Sequence, residues 1–309
     1  MKLFILGAGA MGCLFAARLA GTQEVALVDP NDGKRALLQS RGLEVREPDG
    51  TVLRAHPRVL SPEEASRETA DLLLVLVKAS REREALEAVK GAVGAHTLVM
   101  TLQNGLGHEA AMGRVAPAEN LILGATQHNA SLLAPGVVRH GGGGWTQLGA
   151  VTGEGARFAF VAEAFSRAGF EAAVSPNVRA VIWRKLFLNA SASALTGVFR
   201  CPLGDVAEKP HLWAIAEKLI NEAVAVAGAE GLPFDGEEIR SEVRAHVLRA
   251  KDAITSVYAD LAAGRKTEVD AITGAVAALG REKGIAVPVS ETVAAILHGM
   301  EEMNDGKQL

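Results

Sequence analysis

Residues 7–12 read GAGAMG, and what flanks them restricts the fold more than any other stretch of the chain. The apolar run KLFIL precedes them, a helical pattern begins at about residue 10, and the next apolar run, EVALV, ends at the acid Asp29. A GxGxxG alone is a weak signal. A strand, a glycine loop, a helix and a second strand closing on an acid form the pattern of a dinucleotide-binding βαβ unit. In that setting the three glycines differ in purpose, since Gly7 permits the tight turn, Gly9 lets the backbone approach a pyrophosphate, and Gly12 lets the helix pack on the sheet. The helix N-terminus, at Ala10, Met11 and Gly12, offers free N–H groups and a positive dipole end to the phosphates. The bland alternative is a glycine-rich turn without a ligand.

The first twenty-one residues, MKLFILGAGAMGCLFAARLAG, also carry the lysine, apolar stretch and small residues of a secretory signal. Three glycines interrupt that run and a strand follows at once, so the segment is expected to belong to a folded domain. No other stretch approaches the ~20 uninterrupted apolar residues that span a bilayer, and a soluble protein is expected. At 309 residues the chain is long for one domain and comfortable for two, and 49% hydrophobic residues suffice for sizeable cores. A formal charge of −4 gives no electrostatic reason to expect nucleic acid or an anionic membrane as partner. Cys13 and Cys201 lie far apart without a CxxC or Cys/His spacing, so neither a disulfide framework nor a zinc site is expected, and a reducing cytoplasm is the default location. The eight histidines show no HxH or HExxH spacing, and no metal site is expected.

Short apolar runs alternate with helical patterns through the first half. KLFIL, EVALV, DLLLVLVK, TLVMTLQ and NLILGAT read as buried strands, with helices over about 10–20, 33–41, 82–93 and 107–115. The texture then changes to the hairpin-like GVVRHGGGGWTQLGAV, whose four glycines must turn flexibly or cover something closely. Beyond Asn177 the patterns are helical, over 177–198, 208–230, 236–250, 267–283 and a last segment ending near Met303, before the polar tail NDGKQL. The fold class is therefore α/β: an N-terminal Rossmann-type doubly wound sheet over 1–172, followed by an all-helical C-terminal domain over 173–309. The sequence leaves the oligomeric state open, a homodimer through the helical domain being one form it permits.

A Rossmann domain joined to a helical one fits an oxidoreductase, and also a non-catalytic protein that senses the dinucleotide. The helical part bears on that choice through WRKLFLNAS at 183–191. At 100° per residue, Lys185, Asn189, Ser193 and Thr196 share a narrow stripe walled by Leu186, Leu188 and Leu195. A buried ammonium must be paired or must serve a ligand. Reducing a ketone requires a donor that stabilises the developing alkoxide and then protonates it, and a charged lysine does both. On spacing alone, a Lys/Asn pair of this kind is more often an ordinary partly buried pair.

Taken together, GAGAMG, LVLVKAS at 74–80, LQNGLG at 102–107, GAT at 124–126, PGVVRHGG at 135–142, WRKLFLNAS and SVYADLAAGRKTEVDAITG at 256–274 resemble the ketopantoate reductase family, in the right order and over nearly the whole chain. The resemblance implies NADPH-dependent reduction of 2-ketopantoate to (R)-pantoate, a step toward pantothenate and coenzyme A. It implies that Lys185 is the general acid, that Asn189 binds substrate, and that Glu268 is an active-site glutamate that helps set the lysine's charge. It further implies that Ser256 contacts the substrate carboxylate and that Asn104 lies near the nicotinamide ribose. The bland readings are a capping box of Thr267 and Asp270 with Glu268 as a first-turn acid, a helix N-cap at Ser256, and an Asn-Gly turn at Asn104.

Two positions depart from the family pattern. Ser193 stands where a second asparagine is common, and Ala253 where another asparagine precedes the serine by three residues. A pocket with fewer amides discriminates less against a substrate lacking a hydroxyl, which leaves a D-2-hydroxyacid dehydrogenase acting on branched 2-keto acids as the alternative substrate reading. Cofactor signals conflict as well. Asp29 suits the ribose 2′-hydroxyl of NAD and repels a 2′-phosphate, and Pro30 replaces the arginine usual in the family, whereas Lys78 matches a family lysine near the 2′-phosphate and Arg81 is close to it in sequence. Use of both NADP(H) and NAD(H), with discrimination of about tenfold or less, some 1.4 kcal/mol, is expected. Lys34 and Arg35 could also bring positive charge to the 2′-phosphate but, on a surface helix, read rather as solvated; His128 reads as a structural histidine, Trp183 and Phe187 as core, and SREREALE at 80–87 as a solvated helix face.

Overall fold

The computed structural model describes residues 1–305, so the tail expected at 304–309 lies outside the described residues from 306 onward. Packing divides the chain into two compact units. The first comprises Met1–Gln103 and His108–Val181; the second comprises Asn104–Gly107 and the chain from Ile182.

The first unit is built on an eight-stranded sheet in the order Ala172–Val174, Thr146–Ala150, Leu121–Thr126, Leu98–Thr101, Leu72–Val75, Lys2–Leu6, Glu24–Val28, Arg58–Leu60. From Leu121–Thr126 to Arg58–Leu60 all neighbours are parallel, and Thr146–Ala150 joins antiparallel to Leu121–Thr126. Strands of this kind are apolar throughout because both faces are covered. Leu3, Ile5, Leu27, Leu72, Leu74, Met100 and Ile122 enter one core, while their neighbours Phe4, Leu6, Val28, Leu73, Val75, Val99 and Leu121 enter the other. The first core also takes Phe15 of the helix Ala10–Leu19, stacked on Phe170 at 4.1 Å between ring centroids. The strand order reverses beside Lys2–Leu6, which puts the turn after that strand at the switch point where open α/β sheets bind ligands.

The second sheet, in the order Val52–Ala55, Leu43–Arg46, Val137–His140, Ala130–Ala134, has no counterpart among the expected strands over 43–55. It also corrects the hairpin reading of GVVRHGGGGWTQLGAV. Val137–His140 pairs with Leu43–Arg46 and Ala130–Ala134, whereas Thr146–Ala150 pairs in the main sheet. The four glycines carry the chain from one sheet to the other, and they lie close to Gln127–Asn129: a Cβ on Gly141 would overlap Asn129, one on Gly144 would overlap Gln127, and one on Gly143 would sit 3.1 Å from the His128 ring.

His128 is buried, as a structural histidine should be, and belongs to a chain of polar groups. Its Nδ1 is 3.0 Å from Nε2 of His140, whose Nδ1 is 2.5 Å from Glu47, and Glu47 in turn pairs with Arg18 at 2.8 Å. Desolvation, then the neighbouring His140, holds the His128 imidazole below its ordinary value of 6.5. A base whose folded pKa is depressed takes up its proton more readily in the unfolded chain, so its contribution is complete above 6.5 and is lost as pH falls through the folded value. His246 in the second unit, half-buried and near Arg249, acts in the same direction. Urea unfolding at about pH 7.5 and about pH 5.5 should therefore give a lower midpoint at the acid pH, and His128→Gln should narrow that difference. A midpoint that rises on acidification would contradict the assignment.

The second unit is helical: Val178–Leu188 runs into it and continues through a π-helical turn, Asn189–Ser193, to Ala194–Phe199, followed by Leu203–Glu208, Pro210–Ala229, Gly236–Arg249, Ser256–Ala262, Thr273–Glu282 and Pro288–Asp305. Trp183 and Phe187 are core as expected, packed with Trp213, Leu219, Ile220 and Leu297. The helix expected over 267–283 starts only at Thr273, because Ile272 leaves helical geometry at φ −109°, ψ −97°, and the residues before it form a short 3₁₀ turn, Val269–Ala271. Among the described residues no helix is long and apolar enough to cross a membrane, and no group of three or more His, Cys, Asp or Glu is placed to hold a metal.

Candidate active site

In the first unit the glycine loop has the geometry its spacing suggests. Gly7 sits at φ +109°, where a side chain is strained, and donates its N–H to Val28 O at 2.9 Å. A Cβ on Gly12 would overlap the Gly7 carbonyl oxygen, so the helix can approach the turn only because residue 12 is glycine. Gly9 caps that helix, is exposed, and has nothing within 4 Å of where a Cβ would stand. Among the described residues no side chain caps this end, which leaves the first-turn amides at Ala10, Met11 and Gly12 without a side-chain cap beside the open space at Gly9. The open cradle and the amides fit the pyrophosphate of a dinucleotide.

Neighbouring loops converge on the same turn. A Cβ on Gly7 would stand 2.9 Å from Val77, the residue before Lys78, and Gln103 donates to Val77 O at 2.8 Å. Lys78 is half-buried just past the strand Leu72–Val75. Arg81 does not join it in a described contact; it is exposed and pairs with Glu84 at 3.4 Å. SREREALE is largely solvated, but Leu86 is core and Glu82 is buried, 2.9 Å from the buried His108. Asp29 is buried at the end of its strand and accepts the Ala8 N–H at 3.1 Å. Lys34 and Arg35 are not simply solvated, as their helix position suggested: Lys34 pairs with the Asp29 carboxylate and Arg35 donates to the Asp29 carbonyl.

In the second unit, Lys185 keeps some accessible surface, but its ammonium is enclosed by protein atoms. That burial, opposed by the attraction of Glu268, pushes its pKa from 10.5 down to about 8. The leucine walls are present, with Leu186 and Leu195 buried and Leu188 partly so. The π turn starting at Asn189 corrects the stripe, since its extra residue interrupts the 100° spacing on which Ser193 and Thr196 were aligned with Lys185. Asn189 and Ser193 are half-buried, whereas Thr196 is fully buried and turned to Thr255 at 2.5 Å. π turns recur at functional sites.

Glu268 is half-buried just before Val269–Ala271, and no capping box forms there. Thr267 instead donates its N–H and hydroxyl to Glu301 at 2.7 and 2.6 Å, while Asp270 is exposed. The N-cap that was the bland alternative for Ser256 is made one residue earlier, by Thr255, which accepts from Tyr258 N at 3.3 Å; Ser256 itself is exposed in the first turn. Asn104, three residues past the strand Leu98–Thr101, belongs to the second unit, where Leu106 donates to Ala271 O at 2.8 Å and Gly105, at φ +101°, leaves no room for a Cβ against Ala271. Lys185 and Glu268 thus interact, and the Asn104 segment is fastened to the turn that follows Glu268. Glu301 and Thr255 were not among the expected site residues, because their partners lie 34 and 59 positions away in the chain.

A glycine loop that fits a pyrophosphate in one unit and an enclosed lysine with a lowered pKa beside a glutamate in the other are features of a dinucleotide-dependent oxidoreductase. Residues 3–153 match the family described as ketopantoate reductase PanE/ApbA, and residues 177–301 match ketopantoate reductase PanE/ApbA C terminal. The chain is 35% identical to a 2-dehydropantoate 2-reductase of Halobacterium salinarum over 96% of its own length and 98% of the relative's. It is 31% identical to the Lactococcus lactis protein of the same name, covering 99% and 100%. Among solved structures it resembles a D-mandelate dehydrogenase bound to NADH and anilino(oxo)acetate, at 27% identity and a TM-score of 0.93 over 99% and 100% of the two chains. A PanE/ApbA family ketopantoate reductase from Ralstonia eutropha gives 28% identity and a TM-score of 0.89 over 99% and 100%. The chain belongs to the ketopantoate reductase family.

Proposed function

We propose that this protein reduces 2-ketopantoate to (R)-pantoate with NADPH or NADH, with Lys185 as the general acid. The observation that carries the reading is an enclosed lysine with a pKa of about 8, still charged at neutral pH and flanked by a carboxylate. A bound nicotinamide supplies the hydride for the ketone carbon. Lys185 hydrogen-bonds the carbonyl oxygen, stabilises the negative charge that develops there, and gives it a proton; the lysine then regains its proton from solvent. Glu268 favours the charged lysine. Asn104, Asn189, Ser193 and Ser256 hold the substrate in this scheme. Gly7, Gly9, Ala10, Met11, Gly12, Asp29, Lys78 and Asn104 hold the cofactor. The reading includes a reducing cytoplasm, in keeping with the free thiols of Cys13 and Cys201, and admits a homodimer.

The test is reduced-cofactor oxidation by the pure protein with ketopantoate and, in parallel, 2-ketoisovalerate, which lacks the hydroxyl. Ketopantoate should be turned over, with an advantage in kcat/KM below about 10⁴-fold, because Ser193 and Ala253 bring no amide to read that hydroxyl. A larger advantage would assign the hydroxyl to other groups. Equal use of the two keto acids would favour the second reading, a D-2-hydroxyacid dehydrogenase for branched 2-keto acids. Cofactor binding without oxidation by either would indicate a sensing protein instead.

A further inference from the structure

The carboxylate of Asp29 is almost fully engaged by the protein. Its Oδ2 accepts from Ala8 N at 3.1 Å and from Lys34 Nζ at 2.7 Å, and its Oδ1 accepts from Asn31 N at 3.0 Å. The two backbone bonds tie the glycine loop to the start of the helix Asp32–Arg41, so they are structural. The lysine bond differs in kind. The Lys34 side chain is 32% exposed while that of Asp29 is 6% exposed, and its four-carbon stem allows the ammonium to leave the carboxylate without moving the backbone. The Lys34 backbone stays fixed in either case, because its N–H is held by Asn31 at 2.8 Å. Arg35 has less freedom, being tied to the Asp29 carbonyl at 2.9 Å and to Asp32.

We propose that Lys34 reads the 2′ position of the adenosine ribose by staying on Asp29 or turning away from it, an inference that rests on the dinucleotide reading of the glycine loop. With a 2′-hydroxyl, the ammonium remains on Oδ2 and the hydroxyl donates to the free lone pair of Oδ1. With a 2′-phosphate, the ammonium turns outward and exchanges a carboxylate for a more highly charged anion. The carboxylate left behind keeps its two backbone N–H bonds, which stabilise it as an anion. One cation thus serves both cofactors, and the acid at the strand end does not by itself exclude the phosphorylated one. Asp29→Ala is a poor probe of this arrangement, since it also removes the clamp on Ala8 and Asn31. Lys34 can be replaced without touching that clamp.

The experiment is fluorescence titration of the full-length protein with NADPH and NADH, with no substrate present, for the parent, Lys34→Met and Lys34→Arg. In the parent the two dissociation constants should lie within about tenfold of each other, some 1.4 kcal/mol. Lys34→Met should weaken NADPH by about tenfold or more, leave NADH within about threefold, and reduce the salt dependence of NADPH binding, Lys78 remaining. Lys34→Arg should retain NADPH binding. Equal weakening of both cofactors, or no change for either, would overturn the role of Lys34 and leave the dinucleotide site standing. A parent that binds neither cofactor would overturn the dinucleotide reading itself.

Discussion

Lys185→Ala is expected to lower kcat/KM for ketopantoate by about a hundredfold or more, with cofactor binding and folding close to the parent's. In the proposed mechanism the deleted ammonium is the donor for the developing alkoxide and the source of its proton, and water admitted to the space is a weaker acid without a fixed position. The pH profile gives an independent check. Burial, opposed by Glu268, sets the Lys185 pKa at about 8, and the active form is the protonated one. Activity should therefore be level below that value and fall as pH rises through about 8, where the ammonium is lost. Glu268→Gln removes the attraction that raises the lysine's pKa, so the alkaline fall should move to lower pH. Undiminished turnover in Lys185→Ala, or a fall unmoved in Glu268→Gln, would remove the lysine or the glutamate, respectively, from the mechanism.

The burial of Lys185 was legible from local pattern, since a charged residue walled by leucines stands out at helical spacing, whereas the role proposed for it came from the family resemblance. The same spacing could not reveal the π turn at Asn189, which depends on where the helix hydrogen bonds slip by one residue rather than on which residues are apolar. The parallel strands were equally legible, because burial on both faces makes Leu72–Val75 or Glu24–Val28 a run of apolar residues that needs no partner to be recognised. The second sheet was not. Leu43–Arg46 and Val52–Ala55 are short, carry charged residues on their open face, and acquire strand geometry from pairing with each other and with Val137–His140, some 90 positions away.

Long-range partners account for the other differences at the site. SREREALE has the composition of a solvated face, and only the fold brings His108 against Glu82. Lys34 reads as a surface lysine until Asp29, five residues earlier, turns out to face it. Asn104 looks like part of an ordinary Asn-Gly turn at a strand end, yet Ala271 fixes its segment in the helical unit. Thr267 and Asp270 have capping-box spacing, but Glu301 takes the threonine's donors first. Each of these outcomes was decided by a polar group distant in sequence or by a side-chain rotation, and periodicity carries neither.

Gly9→Ala and Gly12→Ala should fail in different ways, although both sit in the same six-residue motif. At Gly12 a methyl group would overlap the Gly7 carbonyl oxygen, which is backbone and held by a turn at φ +109° that has no easy alternative. The helix must then lift from the turn, and a loss of at least about 3 kcal/mol of stability is expected, seen as a lowered urea midpoint or an insoluble product. Gly9 has open space at the same atom and an extended backbone, φ −82° and ψ −171°, that alanine adopts freely. Its variant should fold with a change of about 1 kcal/mol or less, the difference between glycine and alanine as N-cap. Its defect should appear in binding, because on the dinucleotide reading the added methyl lies where the pyrophosphate would approach the first-turn amides at Ala10, Met11 and Gly12. NADPH affinity should fall by about tenfold or more, some 1.4 kcal/mol, while thermal unfolding stays near that of the parent. A Gly9→Ala protein that binds NADPH as the parent does would show that the open cradle is not where the phosphates lie, and the reading of residues 7–12 as a dinucleotide loop would fail with it.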